Sequence, residues 1–135
     1  MDPINDHSYQ QLLNQEKLMG SRCLACQSLS IPPRSICVEC YGSRMEWAEF
    51  KGLGKLAAFT VIHLVPPRMA ALGYGRDRPY CSGVVELEEG GRVDAFIEGL
   101  DLDRPEDIPL GLPLKVKYLR RSAGEAETVL AFEPL

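Results

Sequence analysis

A chain of 135 residues with 45% hydrophobic and 25% charged residues has room for one folded domain, or a small domain with an appendage. That composition excludes whole-chain disorder, collagen-like repeats and coiled coil, and no apolar run approaches the ~20 residues needed to span a bilayer. A formal charge of −4 gives no long-range attraction toward nucleic acid or anionic lipid.

The first residues, Met1-Asp2-Pro3-Ile4-Asn5-Asp6, lack the basic and apolar regions of a secretory signal, so a cytoplasmic location is expected. Residues 6–19 place Tyr9, Leu12, Leu13 and Met19 near one side of a helix, with Asp6 or Ser8 available as N-cap. The apolar stripe is thin and needs a surface to pack on. Residues 20–43 are dense in Cys, Ser and Pro without helical or strand period, so something other than a hydrophobic core must order them.

Within that segment Cys23, Cys26, Cys37 and Cys40 spell C-x2-C-x10-C-x2-C. Each C-x2-C forms a knuckle that aims two thiolates at one point, and two knuckles together make a tetrahedral sulfur cage suited to Zn²⁺. Iron in an S₄ site is chemically allowed, and zinc is the expectation. Disulfides are disfavoured in a reducing compartment. Four protein ligands leave no open coordination position, so the metal is expected to stabilise structure and do no catalysis.

From residue 44 the pattern becomes strands: 44–50, 55–65, 80–88, 92–98, 113–121 and 128–134. Val93, Ala95 and Ile97 alternate with polar neighbours, as do Leu114, Val116 and Tyr118, which predicts one buried and one wet face. Gly90-Gly91 marks a hairpin, because paired glycines tolerate the positive φ of tight turns. The 55–65 run is apolar on both faces, as in a long strand that curls between two parts of a barrel. These readings give a mainly β chain: an N-terminal helical segment (1–19), a zinc-knuckle segment (20–43) and an OB-like barrel of five to six strands (44–135).

Residues with catalytic potential are few. His63 falls in a strand and reads as a partly buried polar residue, while Cys81 reads as a buried, inert thiol. Residues 66–79 form a fourteen-residue break with Arg68, Met69, Leu72, Tyr74, Arg76 and Arg78, carrying a local charge of +2. Loops of this length are functional or disordered, and Arg and Tyr anchor interfaces and grip phosphates. Lys115, Lys117, Arg120 and Arg121 make a second basic cluster that reads equally as solvated exterior. No catalytic residue is assigned.

The order of these motifs resembles a known family: two knuckles around Pro32-Pro33-Arg34, the Glu46-Trp47 pair, Gly52-x-Gly54-x-Leu56, the strand from Phe59 to His63 and the hairpin from Val85 to Arg92. That family joins a rubredoxin-like zinc ribbon to an acyl-CoA-associated OB fold. Gln27 departs from it, since a glycine often follows the second cysteine. The resemblance implies a non-catalytic subunit that binds a thiolase-like catalytic partner and completes its CoA-ester site, in a hetero-oligomer with two copies of each subunit. Benzoylsuccinyl-CoA thiolase, acetoacetyl-CoA thiolase and steroid side-chain aldolase assemblies contain such subunits. The loop residues Arg68 to Arg78 are then expected to contact the CoA ester or the partner. A single-stranded nucleic-acid binder is the alternative, since OB folds and zinc ribbons occur there too, but the acidic charge and the 7% aromatic content speak against it.

Overall fold

The opening helix is shorter than its apolar period. In the computed structural model, which describes residues 3–121 and 127–135, helix α1 spans Asp6–Asn14. Its N-cap is Asn5, one position before Asp6: the Asn5 side-chain oxygen accepts the Ser8 N–H at 2.9 Å, satisfying a donor that the first turn leaves open. Ser8 itself is buried. Glu16 turns to a φ of 60° just past the helix, and Met19 opens strand β1 (Met19–Cys23) instead of closing the helix.

Two side chains of α1 tie it to the last strand, β8 (Glu127–Pro134). Gln10 Nε2 donates to the Thr128 carbonyl at 2.7 Å, and the Thr128 N–H donates to Asn14 Oδ1 at 3.0 Å. Leu13 is buried in the common core, so the thin stripe is covered by this chain's own barrel.

Strand β1 is the centre of a small antiparallel sheet, with β2 (Leu29–Ser30) on one side and β3 (Met45–Glu49) on the other. The 44–50 segment, grouped with the barrel on sequence, therefore pairs with the ribbon, Cys23 opposite Met45 and Met19 opposite Glu49. The second knuckle returns the chain to the first, where Leu24 N–H donates to the Arg44 carbonyl at 2.8 Å. The Pro32-Pro33-Arg34 segment is held to the same sheet by Arg34 N–H, which donates to the buried Ser21 hydroxyl at 2.9 Å.

Strands β4 (Leu53–Ile62), β5 (Tyr80–Leu87), β6 (Arg92–Ile97), β7 (Pro113–Arg121) and β8 close a barrel in the order β4-β5-β6-β8-β7. The β6–β8 pair is parallel and the others are antiparallel. As expected, β4 is the strand that curls: Leu53, Gly54 and Lys55 pair with β7, while residues from Gly54 to Ile62 pair with β5 through a register shift between Leu56 and Ala58. The two glycines of the Gly52-x-Gly54-x-Leu56 motif have separate reasons. Gly52 has a φ of 83° and its Cα faces Val116, whereas a Cβ on Gly54 would meet the Glu86 carbonyl. Leu56 points into the core.

Gly90 and Gly91 make the β5–β6 turn with φ of 95° and 93°, as the sequence predicts. Inside the barrel lie Leu56, Val85, Val93, Ile97, Leu114 and Phe132, and the same cluster takes in Leu18, Ile31 and Phe50 from the ribbon side. Ribbon, helix and barrel thus share one core. No helix among the described residues is long and apolar enough to cross a membrane.

Candidate functional site

Four Sγ atoms, of Cys23, Cys26, Cys37 and Cys40, all lie within 4.8 Å of one another. Cys23 and Cys40 stand 3.6 Å apart and Cys26 and Cys37 stand 3.5 Å apart. Zn–S bonds of ~2.3 Å in a tetrahedron separate the sulfurs by about 3.8 Å, close to the spacing of these two pairs, so the four sulfurs are placed to hold zinc.

Both knuckles are built to one plan. Cys23 N–H donates to the Ser28 carbonyl and Gln27 N–H to the Cys23 carbonyl; in the second, Cys37 N–H donates to the Gly42 carbonyl and Tyr41 N–H to the Cys37 carbonyl, all at 2.8–2.9 Å. Gln27 and Tyr41 therefore occupy equivalent places, and both are left-handed, with φ of 67° and 62°. Only Gln27 was visible as a departure on sequence.

The thiols influence one another strongly. The Ser28 hydroxyl, 3.2 Å from Cys26 Sγ, is the largest of the causes that hold this thiol down to about 6. At Cys40 the Gly42 backbone N–H pulls the thiol down, but the neighbouring Cys23 and Cys26 outweigh it and push the thiol up to about 12. Four thiols this close cannot all ionise without a cation among them, so the cluster suits a dication. Zinc held here would be structural, with every sulfur a ligand.

The 66–79 break is an organised loop. Helix α2 (Pro67–Ala70) buries Met69, so its side chain is turned away from solvent. Gly75 and Arg78 exchange backbone hydrogen bonds at 3.0 and 3.1 Å. The Arg78 guanidinium sits 4.5 Å from the centre of the Tyr74 ring and donates to the Leu72 carbonyl at 3.3 Å. Arg78 is thus spent on holding the loop together. Arg68 and Arg76 are exposed, with no ion-pair or hydrogen-bond partner for their side chains among the described residues.

Tyr74 also meets Tyr80, which meets Phe96, each pair at 5.4 Å between ring centres, so an aromatic row runs from the loop onto the outer face of β5 and β6. Sequence reasoning missed Tyr80 and Phe96. Their signal was available in the strand period: Tyr80 flanks the inward Cys81, and Phe96 lies between the inward Ala95 and Ile97.

Other residues singled out on sequence are placed elsewhere. Cys81 lies in the barrel core, where burial pushes its thiol up to about 11, far from a nucleophile's range. His63 is exposed just past the end of β4, a correction to its expected partial burial; the strand ends at Ile62, one residue earlier. Lys115 pairs with Glu133, Lys117 with both Glu98 and Glu133, and Arg120 with Glu16, at 3.6–3.9 Å. The side chain of Arg121 lies outside the described residues.

Residues 11–46 match the family model of the ChsH2 rubredoxin-like zinc ribbon domain, and residues 47–119 match that of the ChsH2 C-terminal OB-fold domain. The chain belongs to the ChsH2 family. A DUF35 domain-containing scaffold protein of Methanocaldococcus jannaschii is 30% identical over 121 residues, which cover 88% of this chain and 79% of the relative. The benzoylsuccinyl-CoA thiolase subunit BbsA of Thauera aromatica is 32% identical over 82 residues, 61% of this chain and 52% of that one. Among solved structures, a chain of an Ltp2-ChsH2(DUF35) aldolase superposes with a TM-score of 0.77 at 27% identity, covering 99% of this chain and 98% of that chain. The ribbon family makes zinc the metal of the four-cysteine cluster.

Proposed function

We propose that this chain is a non-catalytic scaffold subunit that binds a thiolase-type catalytic partner and helps hold its CoA thioester, with two copies of each subunit in the complex. The observation that carries the reading is the state of the loop: Arg78 fixes its shape, while Arg68 and Arg76 project from it uncommitted. A CoA ester presents a pyrophosphate and a 3′-phosphate, which a guanidinium on a rigid support recognises with paired N–H donors. The relatives named for a thiolase and an aldolase support a partner of that class. A closed sulfur cage and a core-buried Cys81 leave bond-making chemistry to the partner.

Pairing of the β7 lysines with Glu98 and Glu133 favours this reading over a nucleic-acid groove, which needs uncompensated cations. The test is to substitute Arg68 and Arg76 singly by Ala in the assembled enzyme. Assembly should persist while the KM for the CoA ester rises roughly ten- to a hundredfold, the cost of losing one charge-assisted contact of about 1.5–3 kcal/mol. Turnover like wild type in both variants would remove the CoA role from the loop.

A further inference from the structure

Four of the seven exposed large apolar residues in the described chain crowd around the sulfur cage: Leu24 at 40% exposure, Ile36 at 56%, Val38 at 51% and Tyr41 at 80%. Leu24 and Val38 hold equivalent places, each directly after the first cysteine of its knuckle. Exposed apolar side chains next to three of the four ligating cysteines mark a contact surface more readily than a chance exposure.

Backbone geometry adds an independent observation at Tyr41. The knuckle plan demands a left-handed residue after the second cysteine, a conformation that suits glycine. Gln27 turns this to use by donating from Nε2 to the Leu24 carbonyl at 3.3 Å. The Tyr41 ring and hydroxyl meet no hydrogen-bond or ring partner among the described residues. A strained, outward aromatic with no use inside the chain has the character of an interface anchor.

Charge selects what it anchors to. Four thiolates around one Zn²⁺ carry a formal charge of about −2, and Glu39 lies exposed between Val38 and Cys40. Beside them a cleft of about 490 Å³ separates the knuckles from the β5–β6 turn, lined by Leu29, Val38, Glu39 and Glu89 among others. Glu89 Oε2 accepts the Lys51 N–H at 2.7 Å, while Oε1 is buried without a partner. Two copies docked face to face here would oppose two anionic cages and two Glu39 side chains, so the surface suits a cationic partner.

We propose that this knuckle face docks against the catalytic subunit of the thiolase-type assembly, Tyr41 entering an apolar pocket and a lysine or arginine of that subunit entering the cleft toward Glu39 and Glu89. The inference rests on the subunit reading above and adds which face meets the enzyme. Its test uses full-length chain, the thiolase-type subunit that co-purifies with it, and the variants Tyr41→Gly and Glu39→Lys. Tyr41→Gly relieves the backbone while deleting the anchor, so zinc content should hold and the melting temperature should not fall. Affinity for the enzyme should nevertheless drop at least about thirtyfold, as for a hot-spot aromatic.

Glu39→Lys should weaken binding about tenfold, with the loss shrinking at high salt. Unchanged affinity in both variants overturns the docking face and leaves the subunit reading standing. Failure of the wild-type chain to bind any thiolase-type subunit removes both together. Zinc loss or a lower melting temperature in Tyr41→Gly would show a structural residue and also overturn the proposal. So would a wild-type homodimer, seen by sedimentation, that Tyr41→Gly dissolves.

Discussion

The ribbon and the barrel reach order by opposite means. The barrel buries Leu56, Val85, Leu114 and Phe132 almost completely, and most of its core comes from its own strands. At the knuckle end of the ribbon, Cys23 and Cys37 are buried while Leu24, Ile36, Val38 and Tyr41 face outward, the reverse of a hydrophobic core. A metal that fixes the backbone frees the surrounding side chains from packing, and so a ribbon can present apolar groups that a barrel of this size must bury. The arginines of the loop divide in a similar way, with Arg78 holding the loop's shape and Arg68 and Arg76 exposed.

The largest way to break this comparison is to take away the metal. Structural zinc contributes on the order of 10 kcal/mol or more of apparent folding free energy to such sites. Cys37→Ser, or a strong chelator, should abolish zinc retention and melt the knuckles. Strands β4 to β8 should persist, because their core residues come mainly from one another. Amide exchange read separately for the two regions would decide it, and exchange that accelerates equally in the barrel would show that the shared core makes them one cooperative unit. The reciprocal change, Phe132→Ala, should cost about 3–5 kcal/mol by removing a fully buried ring, with metal content at low temperature intact.

A smaller effect is expected at the latch between α1 and the barrel. Asn14→Ala leaves the Thr128 N–H without its acceptor beside a buried Thr128 and should cost about 1–3 kcal/mol, read as a shift of the denaturant midpoint. Alkaline pH probes the barrel together with the helix packed on it. Burial, with a lesser contribution from Tyr118, pushes Tyr9 up to about 12, and burial pushes Cys81 up to about 11. In the unfolded chain these groups ionise near 10 and 9, respectively. Between the unfolded and folded values the unfolded chain binds fewer protons, so stability present below pH 9 should decline from there to about pH 12. Cys81→Ala should flatten the first part of that decline, and a profile unchanged by the substitution would assign it elsewhere.

What could be read in the sequence follows from these two kinds of order. Metal ligands announce themselves by residue type and spacing, because two C-x2-C pairs at this separation suit a metal cage better than disulfides; strand alternation announces the inward face of β6 and β7. Neither signal reports how elements dock. The 44–50 strand has a β pattern whichever sheet it joins, and its pairing with β1 depends on the turn of the second knuckle. Asn5, Asp6 and Ser8 are all good caps, and the choice rests on where the chain enters. Arg68, Arg76 and Arg78 are alike as letters, and the Tyr74 ring and Leu72 carbonyl at Arg78 separate them.

Left-handed backbone at both knuckles was the least legible feature, and Gln27→Gly isolates its cost. Forcing an L residue into this conformation costs about 1 kcal/mol, which glycine would recover. Glycine also gains freedom in the unfolded chain, an opposing effect of roughly 0.5–1 kcal/mol. The substitution further deletes the exposed hydrogen bond from Gln27 Nε2 to the Leu24 carbonyl. These contributions nearly cancel, so stability should change by less than about 0.5 kcal/mol, with zinc retained. Tyr41→Gly meets the same two backbone effects but loses no internal hydrogen bond, and so it should come out the more stable of the two variants. Paired melting curves of the zinc-loaded proteins would rank them, and a Tyr41→Gly chain that melts below Gln27→Gly would mean that the Tyr41 ring supports the knuckle after all.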